Sequence, residues 1–184
     1  MEALHKRFEQ CIKKGREEII ALLLDSCKIS EAFVAYMNGT NGESALLASV
    51  RKGTLKITRM LLKSKKIKSK DIEYAYAGVY VLAASILSDN PEATKMLLDS
   101  DKMTTEALEF VCPTRGDSVL MTSIRHGMFA PMAMLLNSKK MTSATTELAS
   151  QNGDTPLLWS VQNGRLDYMR ILLGSSAMSK KALE

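Results

Sequence analysis

The hydrophobic positions of this chain repeat along its whole length at intervals of 36 to 38 residues. A Leu-Leu-x-Ser tetrapeptide occurs five times, and its copies begin at Leu23, Leu61, Leu97, Leu135 and Leu172. Eight positions before each copy stands a residue that favours a turn: Gly15, Gly53, Asp89, Gly127 or Gly164. Four positions earlier comes a small residue: Cys11, Ser49, Ser85, Ser123 or Ser160. One register kept through five copies predicts a repeat protein.

Each copy has the pattern of two short helices joined by a turn. In the last copy, Thr155 suits a helix N-cap and Pro156 suits the first helical position. The apolar residues that follow share one face until Asn163-Gly164 interrupts the helix. A second amphipathic stretch then contains Leu166, Met169, Leu172 and Leu173. Helices of about ten residues are not stable alone in water, so the copies must stack on one another.

A third short helix is expected after each leucine pair. There an Ile or Met is followed, in most copies, by Ser or Thr and then by good helix formers, as in Met103-Thr104-Thr105-Glu106. This order is typical of a hydrophobic staple and an N-cap.

Composition limits the class of protein. The chain has 184 residues, of which 46% are hydrophobic and 24% are charged, as in soluble globular proteins. Its longest nearly apolar stretch, from Val79 to Leu87, has about half the length of a membrane-spanning helix, and no secretory signal is visible. The odd set of Cys11, Cys27 and Cys112 indicates a reducing compartment, so we expect a cytoplasmic protein.

No catalytic or metal-binding pattern is visible. Neither His5 nor His126 lies in a recognisable nucleophile context, and no Cys-x-x-Cys zinc motif occurs. A phosphate-binding loop is also missing, because none of the glycines is followed by the Lys-Ser or Lys-Thr that such a loop requires. We therefore expect no enzyme activity, no cofactor, no metal and no small-molecule substrate. We expect the methionines of the second helices (Met60, Met96, Met134, Met169), Cys11 and Trp159 to pack in the core.

The net charge of +5 is concentrated in residues 42–77, which carry nine bases and three acids. Five of these bases form a run that we call the basic patch: Lys63, Lys65, Lys66, Lys68 and Lys70. A solvated loop is the favoured interpretation of this run, followed by a surface for an acidic partner. A nuclear-import or nucleic-acid patch is the least favoured, because aromatic residues for base stacking are sparse.

The last copy resembles a known family, the ankyrin repeats. Residues 153–164, Gly-Asp-Thr-Pro-Leu-Leu-Trp-Ser-Val-Gln-Asn-Gly, are similar to the family pattern Gly-x-Thr-Pro-Leu-His-x-Ala-Ala-x-x-Gly. Weaker matches begin at Gly42, Gly78 and Gly116. The family histidine is replaced throughout, by Leu47, Ala83, Met121 and Leu158. The copies also exceed the usual repeat length of about 33 residues. Such lengthened repeats resemble those of ankyrin proteins from intracellular bacteria, including effectors delivered into a host cell, which would place the protein in the host cytosol.

The resemblance implies an all-α fold. We expect an α-solenoid of five ankyrin-like helix-turn-helix repeats, with short helical linkers in place of full β-hairpin fingers. The repeats would span residues 1–41, 42–77, 78–115, 116–152 and 153–184 of one repeat domain. The first helix is rich in polar residues, among them His5, which suits an N-terminal cap with one wet face. The last repeat would leave Leu166, Met169 and Leu172 partly bare, so we expect the chain to be part of a longer protein.

By the same resemblance, the concave face of the stack would bind a partner protein. Its lining would come from the loop before each first helix and from the last two positions before each turn. The preferred contacts are Tyr74, Tyr76, Arg115 and Arg125, joined by Arg51, Lys52, His126, Gln162 and Asn163. The two tyrosines could equally pack against the linker helix. The alternative functions are a substrate-docking module of a larger enzyme and a nucleic-acid-binding domain that uses residues 51–70.

Overall fold

The computed structural model describes residues 2–35, 43–73, 75–76, 79–112 and 116–179, without the side chains of residues 2, 75 and 76. The chain divides into two compact units, Met1–Met103 and Thr104–Glu184, which we call the N-terminal half and the C-terminal half. Both halves consist of helix pairs, as the repeat pattern predicts. The prediction of a single repeat domain with the five boundaries given above stays a prediction.

The described residues of the N-terminal half form three helix pairs, two short helices and a small hairpin. Its first helices are α1 (Glu2–Lys13), α4 (Ala45–Arg51) and α7 (Val81–Leu87), and its second helices are α2 (Glu17–Asp25), α5 (Leu55–Lys63) and α8 (Pro91–Leu98). The short helices α3 (Glu31–Ala35) and α6 (Ser69–Glu73) follow the second helices. Strands β1 (Ala75–Tyr76) and β2 (Val79–Tyr80) pair antiparallel, with Ala75 opposite Tyr80.

The described residues of the C-terminal half repeat this arrangement with two helix pairs. Its first helices are α10 (Val119–Arg125) and α13 (Pro156–Gln162), and its second helices are α11 (Phe129–Leu136) and α14 (Leu166–Gly174). The short helices are α9 (Thr105–Glu109) and α12 (Ser143–Thr146). A β-bridge joins Val111 to Ser118.

Stacking of like helices builds the core of each half. In the N-terminal half, α4 packs between α1 and α7, while α5 packs between α2 and α8. Every residue from Ala45 to Val50 of α4 is consequently buried. In the C-terminal half, α10 packs on α13 and α11 on α14. The observed architecture confirms an all-α stack of helix pairs, in which each pair covers the apolar side of its neighbour.

The small residue of four first helices, a serine in α4, α7, α10 and α13, lies in this core. Ser49 and Ser85 are fully buried. Thr58 Oγ1 of α5 donates to Ser49 Oγ at 3.0 Å, and Ser85 and Thr94 share a hydroxyl hydrogen bond of 2.8 Å. The serines also donate to the carbonyl three residues earlier, so the buried hydroxyls are satisfied. The side-chain bonds between Ser49 and Thr58 and between Ser85 and Thr94 tie the two helices of a pair together.

The N-caps predicted for the short third helices are confirmed at α9 and α12. Thr104 Oγ1 accepts from Ala107 N at 3.1 Å at the start of α9, and Thr142 forms a reciprocal capping box with Thr145 at the start of α12. At α6 the local pattern differs, because Ser69 is the first helical residue. There the Asp71 carboxylate accepts from Lys68 N at 2.6 Å.

Several burial predictions are wrong. His5, expected on a wet face, is buried with its ring centroid 4.1 Å from that of Phe33. Cys11 is only half-buried, and so are Trp159 and the four methionines of the second helices. The fully covered methionines Met121 and Met132 lie at other repeat positions. Of the three residues expected to be partly bare, Leu166 is exposed and Met169 is half-buried, in agreement with the prediction, whereas Leu172 is buried. In each case the position of neighbouring helices, rather than local amphipathicity, decides the burial.

Candidate functional site

The candidate contacts of each half are the last two residues before each turn, which we call the exposed pairs. In the N-terminal half they are Lys13-Lys14, Arg51-Lys52 and Leu87-Ser88, and in the C-terminal half they are Arg125-His126 and Gln162-Asn163. All ten residues are exposed. The residue just before each of the first four pairs is buried: Ile12, Val50, Ile86 or Ile124. In these four repeats the end of the first helix therefore emerges from the core at the same repeat position.

In the N-terminal half this surface is cationic. Because α1, α4 and α7 pack side by side, their equivalent ends form one row. Lys13 pairs with Glu9 one helical turn earlier, and Arg51 Nη1 lies 3.1 Å from Glu43 Oε1. Lys52 makes no side-chain ion pair or hydrogen bond with any described residue. Basic residues at these helix ends also face the partial negative charge of the last carbonyls, which stabilises the helices.

In the C-terminal half, Arg125 is held in an ion-pair network. Its Nε lies 3.3 Å from Asp117 Oδ1, and its Nη2 lies 3.9 Å from Asp154 Oδ2. Asp117 precedes α10 and Asp154 precedes α13, so one guanidinium links the loops that lead into two successive first helices. Arg125 therefore differs from the freely presented contact that its sequence position suggests. Its neighbour His126 remains exposed.

Gln162 and Asn163 end the last first helix. Both are exposed, and the Asn163 Nδ2 donates to the Trp159 carbonyl at 2.8 Å, which fixes its amide. Gln162 has no side-chain partner among the described residues. The positions of the remaining predicted contacts are not given by the structure. Tyr74 and Arg115 lie outside the described residues, and only the backbone of Tyr76 is described, as part of β1.

The basic patch separates into two kinds of lysine. The Lys66 ammonium donates to the Ser26 carbonyl at 3.0 Å, and the Lys68 ammonium lies 2.9 Å from Glu31 Oε1. The other three, Lys63, Lys65 and Lys70, are exposed and make no side-chain hydrogen bond or ion pair with described residues. Two of the five charges are thus occupied in joining successive repeats.

A recurring lysine staple is the feature that sequence reasoning missed. Lys102 stands one repeat after Lys66. Its ammonium donates to the carbonyls of Leu62 and Ser64, the latter at 2.6 Å, and so caps the C-terminal end of α5. Partial burial lowers the pKa of Lys102, and the nearby Lys68 charge acts in the same direction. The signal was present in the sequence, because a lysine follows the first leucine of the pair by five positions in repeats 1 to 4.

Over residues 2–179 with their gaps, no cluster of three or more His, Cys, Asp or Glu could hold a metal ion. None of the described helices has the length and apolar content needed to cross a membrane. The arrangement is suited to presenting side chains to a partner.

Comparison with known proteins identifies the repeat. Residues 79–182 match a family model described as "Ankyrin repeats (3 copies)", which covers more than half of the chain. No curated protein matches the chain. The matched segment covers nearly all of the last three repeats of the predicted series, including the Gly-Asp-Thr-Pro-Leu motif at residues 153–157. The stacked helix pairs, the turn at a constant repeat position and this match together show that the chain belongs to the ankyrin-repeat family.

Proposed function

We propose that this chain is a non-enzymatic interaction module that binds a partner protein through the exposed pairs at the ends of its first helices. Ankyrin repeats generally serve protein–protein interaction. The observation that carries the proposal is the regular change from buried to exposed at one repeat position in the first four repeats, where eight exposed side chains follow buried core residues. Side chains held on a packed scaffold lose little conformational entropy on binding, which favours affinity.

A quantitative capture experiment tests this surface. The first variant combines Lys52→Ala, Leu87→Ala, His126→Ala and Gln162→Ala. These four residues are exposed, and their side chains make no hydrogen bond or ion pair with a described residue. The matched control combines Glu92→Ala, Lys95→Ala, Asp167→Ala and Arg170→Ala, four exposed residues of the second helices. Both variants should keep the helical circular dichroism of the parent, because no core residue changes.

We expect the first variant to lose the proteins that the parent chain enriches from a lysate by at least about tenfold, which corresponds to roughly 1.4 kcal/mol of binding free energy. The control should retain them. Retention of the same partners at full strength by the first variant would show that the exposed pairs are not the interface. Loss by both variants alike would point to a non-specific surface effect and would equally contradict the proposal.

The finer predictions stay predictions. The bacterial-effector role, a cytoplasmic or host-cytosolic location and the substrate-docking alternative rest on the resemblance and on composition. The concave shape of the binding face stays a prediction as well. The nucleic-acid alternative is weakened, because Lys66 and Lys68 of the basic patch are tied to Ser26 and Glu31.

A further inference from the structure

A groove of about 770 Å³ lies between the C-terminal ends of α5 and α8 in the N-terminal half. Its lining includes Leu62, which is buried, and Met96, which is half-buried, so its base is apolar. The groove lies on the side of the second helices. It includes none of the exposed pairs, so an inference from it is independent of the proposed function.

One wall of the groove carries three cations. Arg59 and Lys63 are four residues apart on α5 and therefore share a helical face, and Lys65 follows in the next turn. All three side chains are exposed. None makes a side-chain hydrogen bond or ion pair with a residue that the structure describes. Their charges are available to a ligand beside an apolar base.

The opposite wall is the turn that follows α8. It presents the exposed carboxylates of Asp99 and Asp101, followed by Lys102. The Lys102 ammonium is bonded to the Leu62 and Ser64 carbonyls, and this fastens the turn to the end of α5. The two walls are therefore held together before any ligand arrives, which reduces the entropy lost on binding.

We propose that this groove binds an acidic, partly apolar segment of a partner protein. The lining has four cations and two carboxylates, so its net charge attracts an acidic chain. Acidic side chains of the segment would face Arg59, Lys63 and Lys65, and an apolar side chain between them would contact Leu62 and Met96. The three unpaired cations would attract the acidic segment as it approaches the groove. Ion pairs beside the partly desolvated apolar base would then fix the orientation of the bound segment.

The charge distribution favours a peptide over a nucleic acid. A nucleic-acid backbone carries phosphate at every nucleotide and would bring negative charge against Asp99 and Asp101. The lining contains no aromatic side chain on which a base could stack. A peptide can place acidic residues on one side only and leave uncharged groups beside the two carboxylates.

Fluorescence anisotropy tests the proposal on the full chain. The probe is a labelled peptide in which Glu and Leu alternate. The comparison probes are the same peptide with Gln for Glu, a labelled oligothymidylate of equal charge, and phosphatidylserine vesicles. The test variant is Arg59→Gln with Lys65→Gln. The matched control, Lys28→Gln with Lys70→Gln, removes the same charge from exposed lysines outside the groove.

We expect saturable binding of the acidic peptide that weakens about tenfold in the test variant and changes by less than about twofold in the control. Asp99→Asn with Asp101→Asn should tighten binding, because it removes repulsion. The four-residue variant of the exposed pairs should keep the peptide, which separates failure here from failure of the proposed function. Three outcomes would overturn the proposal. They are equal weakening in the test and control variants, tighter binding of the oligothymidylate or the vesicles than of the acidic peptide, and no saturation with the acidic peptide up to about 1 mM.

Discussion

At the scale of single residues, one backbone conformation recurs with different side chains. The turn between the two helices of a pair has a positive φ at Gly15, Gly53, Gly127 and Gly164, and also at Asp89, whose φ is 47°. Only glycine enters this region without steric cost, although aspartate tolerates it better than most residues. The positive φ of Asp89 shows that the fold imposes this turn conformation, which glycine adopts at the equivalent position of the other four repeats.

The glycines before the first helices allow a sharper test. Gly116 and Gly153 occupy equivalent positions with φ of 65° and 81°. A Cβ on Gly116 would lie 2.6 Å from the backbone nitrogen of Gln151, whereas a Cβ on Gly153 would meet nothing within 4 Å. We expect Gly153→Ala to cost about 1 kcal/mol of unfolding free energy, from backbone strain alone.

Gly116→Ala should cost at least about 2 kcal/mol more, because the backbone of Gln151 must move away. Urea unfolding followed by circular dichroism measures both values. Equal destabilisation by the two substitutions would show that the close approach to Gln151 is not maintained in solution.

At the scale of elements, each lysine staple joins the end of one second helix to the turn that follows the second helix of the next repeat. Lys66 bonds to the carbonyl at the end of α2, and Lys102 bonds to the carbonyls at the end of α5. The last carbonyls of a helix have no partner within the helix. A lysine from the next repeat satisfies them, so each staple caps one repeat and fastens its neighbour.

Removal of one staple should therefore destabilise the N-terminal half. We expect Lys102→Met to lower the unfolding free energy by about 1–2 kcal/mol, because the aliphatic stem is kept while the hydrogen bonds to Leu62 and Ser64 are lost. Lys65→Met, an exposed lysine of the same region, should change it by less than about 0.5 kcal/mol. The measurement is urea unfolding at neutral pH, and similar effects of the two substitutions would refute a capping role.

The lowered pKa of Lys102 gives this staple a pH dependence. In the unfolded chain its pKa returns to the ordinary value of 10.5. Between the lowered pKa and that value the unfolded chain binds more protons than the folded chain, so the contribution of Lys102 to stability rises with pH. At pH values below the lowered pKa, the cost of holding the charged amine is fully present.

Urea unfolding of the parent and of Lys102→Met at several pH values from about 8 to about 10.5 tests this expectation. Groups common to both chains cancel in the difference, which should shift in favour of the parent as the pH rises. A constant difference, or one that shifts towards the variant, would be inconsistent with a lowered pKa.

At the scale of the whole molecule, the same repeat position has different surroundings along the chain. Val50 and Val161 are equivalent residues of α4 and α13, yet Val50 is 1% exposed and Val161 is 52% exposed. α7 packs on α4, whereas α13 packs on α10. Leu47 and Leu158 differ in the same way. An apolar residue at this position contributes to stability only where a neighbouring helix covers it.

A matched pair of substitutions tests this difference. We expect Val50→Ala to lower the unfolding free energy by about 2 kcal/mol, because it removes two buried methyl groups and leaves a cavity. Val161→Ala should change it by less than about 0.5 kcal/mol, because its side chain is already half in water. Thermal and urea unfolding of both variants measure the effect. A comparable loss at Val161 would show that this residue is covered in solution.

Much of the fold could be predicted from the sequence, and less of the candidate site. Helix pairs, turns and caps depend on residues close together in the chain, as at Thr142 and Thr155. The partners of Arg125 come from two loops that precede successive helices, and the partner of Lys66 lies 40 residues away. No local pattern distinguishes such a paired charge from an exposed one. The predicted contacts Tyr74, Tyr76 and Arg115 stay predictions.

The repeat period, the order of helices within each repeat and the position of each turn can all be read from the amino-acid sequence. These properties follow from backbone sterics, capping and amphipathic spacing, all of which act over a few residues. Only the packed structure distinguishes which of several equivalent residues are buried, paired or free, as with Val50 against Val161 and Lys66 against Lys70. Burial and pairing depend on the helix that packs alongside, and that neighbour lies a whole repeat away in the chain.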